Sequence, residues 1–208
     1  MFEWLPMKTA WRLMGPVEGH KMNVIIISSS PNKDGLTAAC VAAVDEGILS
    51  ANGTTELVCL NDLKVGSCEA CDNGWGTCLN DHTCKVLDDF QDLHRRTCQS
   101  DAVVLVTPVY WGEMSESAKA FTDRIRRCEA TRNKESGLFQ KPVIAIAAAG
   151  GSGNGMITCL ASMERWIEHV RARKFDLIPV NRWTRDYKIQ AIRAAGSAMV
   201  IKGKEVTW

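Results

Sequence analysis

The sequence of 208 residues has almost no net charge and no long hydrophobic run. Its 25 basic and 24 acidic residues leave a formal charge of +1. Nucleic acid and anionic membranes are therefore not expected as partners, because both require a clustered positive field. The aliphatic run from Val24 to Ile27 is far shorter than the ~20 residues of a membrane-spanning helix. Residues 1–21 carry charges among their apolar residues, unlike the core of a secretory signal. The composition, 46% hydrophobic and 24% charged, is typical of a globular domain, and we predict a cytoplasmic location.

Cysteine is too scarce for a disulfide scaffold, yet its distribution is uneven. Nine cysteines are about 4% of the chain, below the ~8–10% that marks small disulfide-bonded proteins. An odd number without a secretion signal indicates reduced thiols. Five of them fall on predicted helices and strands, where a thiol packs as a small apolar group: Cys40, Cys59, Cys98, Cys128 and Cys159. The other four lie within 17 positions and indicate a site.

Apolar runs alternate with amphipathic stretches along the chain. Strands are predicted over 23–28, 55–60, 102–107, 142–149 and 175–180, and helices over 35–50, 89–98, 115–127, 156–172 and 187–201. This alternation predicts an α/β fold with a doubly wound, five-stranded parallel sheet in three α/β/α layers. Residues 1–21 are predicted to be an N-terminal extension, and residues 22–208 one domain with a cysteine-rich insert at 66–88. Ligands of such sheets bind beyond the carboxyl ends of the strands.

The loop after the first strand is rich in hydroxyls and leads into a helix. Backbone N–H groups at a helix N-terminus, together with the helix dipole, are suited to hold a phosphate. The loop has neither the Gly-Lys-Ser/Thr of a Walker A motif nor Gly-x-Gly-x-x-Gly, which disfavours nucleoside triphosphates and Rossmann-type dinucleotide binding. The alternative is that its serines and asparagine only turn the chain and cap the helix.

Two further loops are expected at the same edge of the sheet. The third strand ends in Thr107-Pro108-Val109-Tyr110-Trp111-Gly112, whose aromatic rings offer a flat apolar platform for a planar heterocycle. The fourth ends in a glycine-rich stretch from Gly150 to Gly155, where backbone can approach a ligand closely. The alternatives are aromatics that plug the sheet edge and a mobile glycine loop.

Four closely spaced cysteines follow the second strand: Cys68, Cys71, Cys78 and Cys84. Thiolates are soft anionic ligands that hold a tetrahedral metal or an iron–sulfur cluster. Zinc ribbons prefer two Cys-x-x-Cys pairs separated by ~12–20 residues, whereas here the second pair is more widely spaced and too near the first. An iron–sulfur cluster is therefore favoured over zinc, and free or redox-active thiols remain an alternative. His82 is interpreted as a solvated loop residue.

Together these motifs resemble the flavodoxin-like NAD(P)H-dependent FMN reductases. The matching patterns are Ser-x-Pro-x-x-x-Gly-x-Thr after the first strand, Thr-Pro-Val-Tyr-Trp after the third, and Lys-Ala-Phe-x-Asp-Arg downstream. The resemblance implies FMN, NAD(P)H as a possible electron donor, and a homodimer or homotetramer. It implies an FMN phosphate on Ser28, Ser30, Asn32, Gly35 and Thr37. It implies an isoalloxazine against Pro108, Val109, Tyr110, Trp111, Gly112, Gly150, Gly151 and Gly153.

The sequence differs from the family pattern at Leu36 and in the spacing of its cysteines. Leu36 stands where the family usually has Asn, so a phosphate contact from that side chain is not expected. The charged residues Lys119, Asp123 and Arg124 are assigned to helix packing and subunit contacts. The cysteine segment is similar to that of the iron–sulfur flavoproteins, a branch of the family whose compact motif ligates a [4Fe–4S] cluster. That motif usually has two residues between its second and third cysteines, whereas six separate Cys71 from Cys78, an insert flexible enough to loop out.

The predicted function is an FMN-dependent oxidoreductase that relays electrons between a [4Fe–4S] cluster and FMN. No catalytic residue beyond the flavin is expected, because the flavin itself exchanges hydride or electrons. The donor and acceptor are predicted to be small molecules or proteins. The alternatives are an NAD(P)H-dependent FMN or quinone reductase without a cluster, and a non-enzymatic FMN-binding redox carrier or sensor.

Overall fold

The structure, a computed structural model, describes residues 21–203; the segment 1–20, which makes up almost all of the predicted extension, and residues 204–208 lie outside it. The described range contains six strands: β1 (Asn23–Ser28), β2 (Thr54–Cys59), β3 (Ala102–Tyr110), β4 (Glu113–Met114), β5 (Pro142–Ala149) and β6 (Arg173–Asn181). Five of them form a parallel sheet in the order β2-β1-β3-β5-β6. This is the flavodoxin-like order, and the predicted five-stranded parallel sheet is confirmed.

Between residues 21 and 203, five α-helices cover the two faces of this sheet: α1 (Leu36–Ser50), α2 (Phe90–Gln99), α3 (Glu116–Glu129), α4 (Met156–His169) and α5 (Arg185–Lys202). One apolar core joins α1 and α5 to one face, and another joins α2, α3 and α4 to the other. The three-layer prediction is therefore confirmed. Each predicted α-helix ends within three residues of its observed bounds.

Burial on both faces explains why the central strands are easy to recognise. Every residue of β5 is buried, as expected for a parallel strand covered by helices on both sides. On the first face α1 and α5 approach closely, because Gly47 has no side chain; a Cβ there would overlap the Arg193 carbonyl. Gly196 of α5 is packed in the same way against the Val44 carbonyl of α1, so two glycines together allow the close approach of these helices.

The strand β4 is not predicted by the sequence, and β3 runs three residues beyond its predicted end at Thr107. Tyr110 pairs with Glu113 across a two-residue turn formed by Trp111 and Gly112, whose φ angles are 52° and 81°. Positive φ at both central residues is the type I′ geometry that suits a tight hairpin. Tryptophan rarely adopts positive φ, so the sequence carries no signal for this turn.

The sheet order leaves a crevice at its carboxyl edge. The chain leaves β1 on one side to form β2 and returns on the other side as β3, so the loops after β1 and β3 diverge at this point. Ser28 lies beside Val106 of β3 and Cys59 of β2. Such a switch in strand order is where ligands bind in open α/β sheets. Within residues 21–203, no helix is long and apolar enough to cross a membrane.

Candidate functional site

The first loop turns the chain but does not cap α1 with a side chain. The Ser30 hydroxyl accepts a hydrogen bond from the Asn32 backbone N–H at 3.2 Å, which tightens the turn. Gly35 precedes α1 as its N-cap, and no side chain accepts a hydrogen bond there. The alternative role of helix capping is therefore not seen. The backbone N–H groups in the first turn of α1, where the buried Thr37 lies, remain free to donate hydrogen bonds to an anion.

Two openings flank this loop. The first-loop groove, with a volume of about 460 Å³, is lined by Ser28, Ser30 and Asn32 of the predicted phosphate site and by residues of α1 and β2. The sheet-edge cavity, with a volume of about 410 Å³, is lined by Ser29, Pro31, Asn61, Val65, Ser67, Tyr110, Ser115, Glu116, Ser117 and Ala120. Among the predicted flavin residues, Tyr110 alone lines the sheet-edge cavity.

The loops after β3 and β5 meet at the carboxyl edge. Gly112 and Gly155 are in close contact, since a Cβ on Gly155 would lie 2.7 Å from the Gly112 Cα. Trp111 is fully exposed and Tyr110 is 45% exposed, so neither ring plugs the sheet edge. A Cβ on Gly150 or Gly151 would meet no heavy atom of the surrounding fold within 4 Å, which leaves open space above their backbone. Trp183, which no sequence motif singled out, packs against Gly153.

All four cysteines of the predicted metal site line one cavity. This cysteine cavity, with a volume of about 20 Å³, is bounded by Cys68, Cys71, Cys78, Cys84, Glu69, Gly74, Gly76, Thr77, Lys85, Val86, Arg124, Arg127 and Cys128. Cys78 is buried and the other three cysteines of the segment are half-buried. Four thiols spread over 17 positions of the sequence therefore line a single cavity, as a shared soft-metal site would require.

A fifth thiol, Cys128 of α3, also lines the cysteine cavity. As predicted for a packing residue, it is fully buried. Burial raises the pKa of the Cys128 thiol, and the neighbouring Cys84 and Cys78 raise it further. Its place at the cavity was not predicted, because a position on a helix remote in sequence gives no spacing pattern by which it could be recognised.

Arg124 is the principal charged residue in the wall of this cavity. Its guanidinium is fully buried and donates to Asp88 Oδ2 at 2.6 Å, to the Gly66 carbonyl at 3.1 Å and to the Val86 carbonyl at 3.0 Å. It also lies 4.1 Å from the centroid of the Phe90 ring. The sequence assigned Arg124 to helix packing; the structure instead makes it the residue that ties both ends of the cysteine segment to α3.

The cysteine cavity and the sheet-edge cavity are neighbours. Ser67 lines one and Cys68, the next residue, lines the other. Ala120 and Arg124 of α3 also line one cavity each, and four residues of α-helix rise about 6 Å. A group in one cavity would therefore lie close to a group in the other.

A separate cluster behind the cavity joins His94, Cys98 and Glu129, whose ligand atoms lie within 4.8 Å of one another. Glu129 is fully buried and accepts hydrogen bonds from Ser136 Oγ at 2.7 Å and from the Gly137 N–H at 2.9 Å, and its other oxygen lies 2.7 Å from His94 Nε2. Burial opposes ionisation, but these bonds outweigh it and lower the pKa of Glu129 to about 2. Because the carboxylate is already saturated with donors, we interpret the cluster as structural.

These features define a flavodoxin-like α/β protein with a thiol-lined cavity beside its ligand crevice. Among solved structures, it is similar to an NAD(P)H:quinone oxidoreductase from Methanothermobacter marburgensis (TM-score 0.65, 17% identity, 86% of this chain and 96% of that chain). It is also similar to a flavodoxin from the domain Archaea (TM-score 0.58, 14% identity, 88% of this chain and 100% of that chain). At these identities the likeness concerns the fold.

The sequence matches the family described as NADPH-dependent FMN reductase over residues 22–176, and the chain belongs to this family. It is 30% identical over 137 residues to the iron-sulfur flavoprotein MJ1083 of Methanocaldococcus jannaschii, covering 64% of this chain and 65% of that protein. It is 25% identical over 146 residues to an iron-sulfur flavoprotein of Methanosarcina thermophila, covering 70% and 73%. The match to the first relative thus spans slightly less than two thirds of its length. The predicted resemblance to the family and to its iron–sulfur branch is confirmed.

Proposed function

We propose that the protein is an FMN-dependent oxidoreductase that relays electrons between a [4Fe–4S] cluster and FMN. In this proposal Cys68, Cys71, Cys78 and Cys84 hold the cluster, and the loops after β1, β3 and β5 hold the flavin. The observation that carries the proposal is the pair of adjacent cavities, one lined by all four of these thiols and the other at the switch point of the sheet.

The spacing of the sulfurs supports a cluster over zinc. A tetrahedral zinc site with Zn–S bonds of about 2.3 Å requires its four sulfurs to lie about 3.8 Å apart. Within residues 21–203, the only trio of Cys, His or acidic ligand atoms that all lie within 4.8 Å is the His94 cluster. No three thiols of the cysteine cavity form such a group within this range, which favours a larger cluster over a single zinc ion.

The charge around the cavity also fits an anionic cluster. Four thiolates carry excess negative charge, and Arg124 and Arg127 line the cavity from one side. The buried Nε of Arg124 has no hydrogen-bond partner, so it is a donor that a cluster sulfur or a thiolate would satisfy. Donors of this kind tune the reduction potential of iron–sulfur centres.

The carboxyl edge fits a flavin phosphate and a planar ring. The uncapped first turn of α1 provides backbone N–H donors for a dianion. The open backbone at Gly150 and Gly151 and the exposed Tyr110 and Trp111 provide surface for a flat heterocycle. When bound, FMN accepts a hydride or single electrons, whereas a [4Fe–4S] cluster passes one electron at a time. The loops after β1, β3 and β5 would hold the flavin, and the four cysteines would hold the cluster beside it.

The first experiment is the visible spectrum of protein purified without oxygen, with assays for flavin, iron, sulfide and zinc. The proposal expects bound FMN and about four irons and four sulfides per chain. Flavin bands without iron would refute the cluster, and absence of flavin would refute the proposal as a whole.

Two variants then test the ligands. Cys71→Ala and Cys84→Ala are expected to lose the iron absorption and to retain FMN, because both thiols line the cysteine cavity and neither lines the sheet-edge cavity. The matched control is Cys40→Ala, since Cys40 is buried in the core on the opposite face of the sheet, and it should retain both groups. Retention of iron in both cavity variants would show that the ligands lie elsewhere.

The second candidate is an NAD(P)H-dependent reductase of FMN or a quinone without a cluster, which the family description favours. It expects oxidation of NAD(P)H coupled to a quinone acceptor by protein that contains flavin and no iron. A flavin-containing protein that fails to oxidise NAD(P)H would instead favour a redox carrier. The predicted homodimer or homotetramer is tested on the same preparation by light scattering.

A further inference from the structure

The six residues between Cys71 and Cys78, which we call the insert (72–77), fold over the cysteine cavity. Its glycines Gly74 and Gly76 are part of the cavity wall. A Cβ at Gly76 would lie 3.0 Å from Cys71 Cβ, so the backbone of the insert is packed directly against a proposed ligand. The insert therefore does not loop out, although its composition favours a flexible loop.

Arg127 of α3 holds the middle of the insert. Its Nη1 donates a hydrogen bond to the Gly74 carbonyl, and its guanidinium carbon lies 4.7 Å from the centroid of the Trp75 ring. Gly74 has a φ of 98°, a conformation that glycine adopts without strain and that turns this carbonyl toward the helix. A planar guanidinium can stack on the ring and donate to the carbonyl with its donors held in a fixed plane, whereas an ammonium does not stack.

Both ends of the insert are also tied down. At its start, Asp72 Oδ1 accepts from Lys85 Nζ at 2.9 Å. At its end, the Thr77 hydroxyl donates to the Thr83 carbonyl at 2.7 Å. Because both hydrogen bonds are exposed, they compete with water and each is weak. The contact from α3 is thus the one that links the insert to the rigid part of the fold.

We infer that Arg127 is a positioning residue that clamps the insert over the cysteine cavity and limits the access of solutes to its thiols. Thiol reagents, oxidants and iron chelators all need an approach path to the sulfurs, and Cys78 at the end of the insert is buried. Release of the insert would expose this thiol first. The part of the inference that concerns iron rests on the proposed function, and the part that concerns thiol access does not.

The adjacent residue provides a matched control. Arg126 has the same side chain, but it lines a different groove, between α3 and α4, together with Arg165 and Trp166. Replacement of Arg126 removes the same charge from the same helix without touching the insert. A difference in cysteine reactivity between the Arg126 and Arg127 variants therefore measures the effect of the contacts that Arg127 makes with the insert.

The first test uses metal-free, reduced protein and iodoacetamide at constant pH. Alkylation of each cysteine is followed by mass spectrometry of its peptides. In Arg127→Gln and Trp75→Ala, Cys78 should be modified about tenfold faster than in the parent, because the cation–π contact that opposes local opening of the insert is lost in both variants. Arg127→Gln also loses the charged hydrogen bond to the insert. In Arg126→Gln the rate should match the parent.

Cys40 serves as the internal reference, because it is buried in the core on the opposite face of the sheet. If Cys40 and Cys78 both become faster by the same factor, the variants unfold globally and the clamp is refuted. Equal rates at Cys78 in Arg127→Gln and Arg126→Gln would refute it as well. Arg127→Lys keeps the charge but not the planar contacts, and full protection in this variant would show that the contacts are not what closes the cavity.

The second test uses protein purified without oxygen and measures iron release to a chelator. The clamp predicts faster release in Arg127→Gln than in Arg126→Gln, with FMN retained in both. If the parent contains no iron, the proposed function fails, whereas the alkylation result still decides whether the insert is clamped. Iron release at the same rate in both variants would refute the role of Arg127 at the loaded site.

Discussion

Arg124 is expected to be the most important single side chain for the stability of the cysteine segment. The substitution Arg124→Met keeps most of the volume and removes the guanidinium. It deletes three hydrogen bonds, to Asp88, Gly66 and Val86, and a cation–π contact at 4.1 Å to Phe90. Because loss of one partner leaves the other buried groups unpaired, we expect a loss of about 3–5 kcal/mol in the free energy of unfolding.

The assay is urea unfolding of the metal-free protein, followed by tryptophan fluorescence. The control is Arg95→Met, because Arg95 pairs with Asp92 at the surface and both side chains are more than half exposed. Such a pair contributes about 0–1 kcal/mol. A loss below about 1 kcal/mol in Arg124→Met would refute the reasoning, since the buried pair would then be worth no more than the exposed one.

The pH dependence provides a second check on Arg124. Partial burial favours the protonated form of Asp88, but hydrogen bonds from Arg124 and from the Gly66 and Phe90 N–H groups outweigh it, so the pKa of Asp88 lies below its usual range. A lowered folded-state pKa stabilises the protein above about pH 4 and this stabilisation is lost as the pH falls. In Arg124→Met the free energy of unfolding should therefore fall less between about pH 4 and lower pH than it does in the parent. An equal fall in the parent and in Arg124→Met would show that Arg124 does not act on Asp88.

Three further predictions concern other parts of the molecule. The pKa of Glu129 is lowered from 4.5 to about 2, so its ionised form should add up to about 3 kcal/mol to the free energy of unfolding above pH 5, and this contribution is lost toward pH 2. In Glu129→Gln the free energy of unfolding in urea should therefore depend less on pH between about 5 and 2. A pH dependence as steep as that of the parent would contradict the lowered pKa of Glu129. Gly47→Ala should lower the free energy of unfolding by about 1–3 kcal/mol, because the added methyl group overpacks against Arg193. Gly151→Ala, whose methyl group would point into open space, should leave the free energy of unfolding unchanged and should weaken FMN binding, measured by fluorescence titration. Trp111→Gly should relieve the positive φ of the turn, leaving thermal stability equal or higher, and should weaken FMN binding; tighter binding would exclude Trp111 from the flavin platform.

Much of the fold is predictable because it depends on local patterns. The strands over 23–28 and 142–149 are predicted at their observed bounds, since parallel strands buried on both faces are continuous apolar runs. The segment β4 is missed because its turn places a tryptophan at positive φ, against the residue preference on which turn prediction rests.

The candidate site likewise has one part that the sequence predicts and another part that only the structure reveals. Cys68, Cys71, Cys78 and Cys84 are predicted as one ligand set from their spacing, and they line one cavity. By contrast, Arg124, Arg127 and Cys128, which line the same cavity, are not recognisable as its neighbours from the sequence. They follow Cys84, the last of these cysteines, by 40 residues or more, and only the packing of α3 against the cysteine segment brings them together.

The sequence by itself determined the order of the parallel strands and the α-helices, the hydroxyl-rich first loop and the set of four closely spaced thiols, because each is encoded by periodicity or by short spacing. The tertiary structure alone decided which face of α3 meets the thiols, that the insert closes over the cavity instead of leaving it, and that the cavity adjoins the carboxyl edge of the sheet. These relations depend on contacts between residues far apart in the chain, and no local pattern of the sequence specifies such contacts.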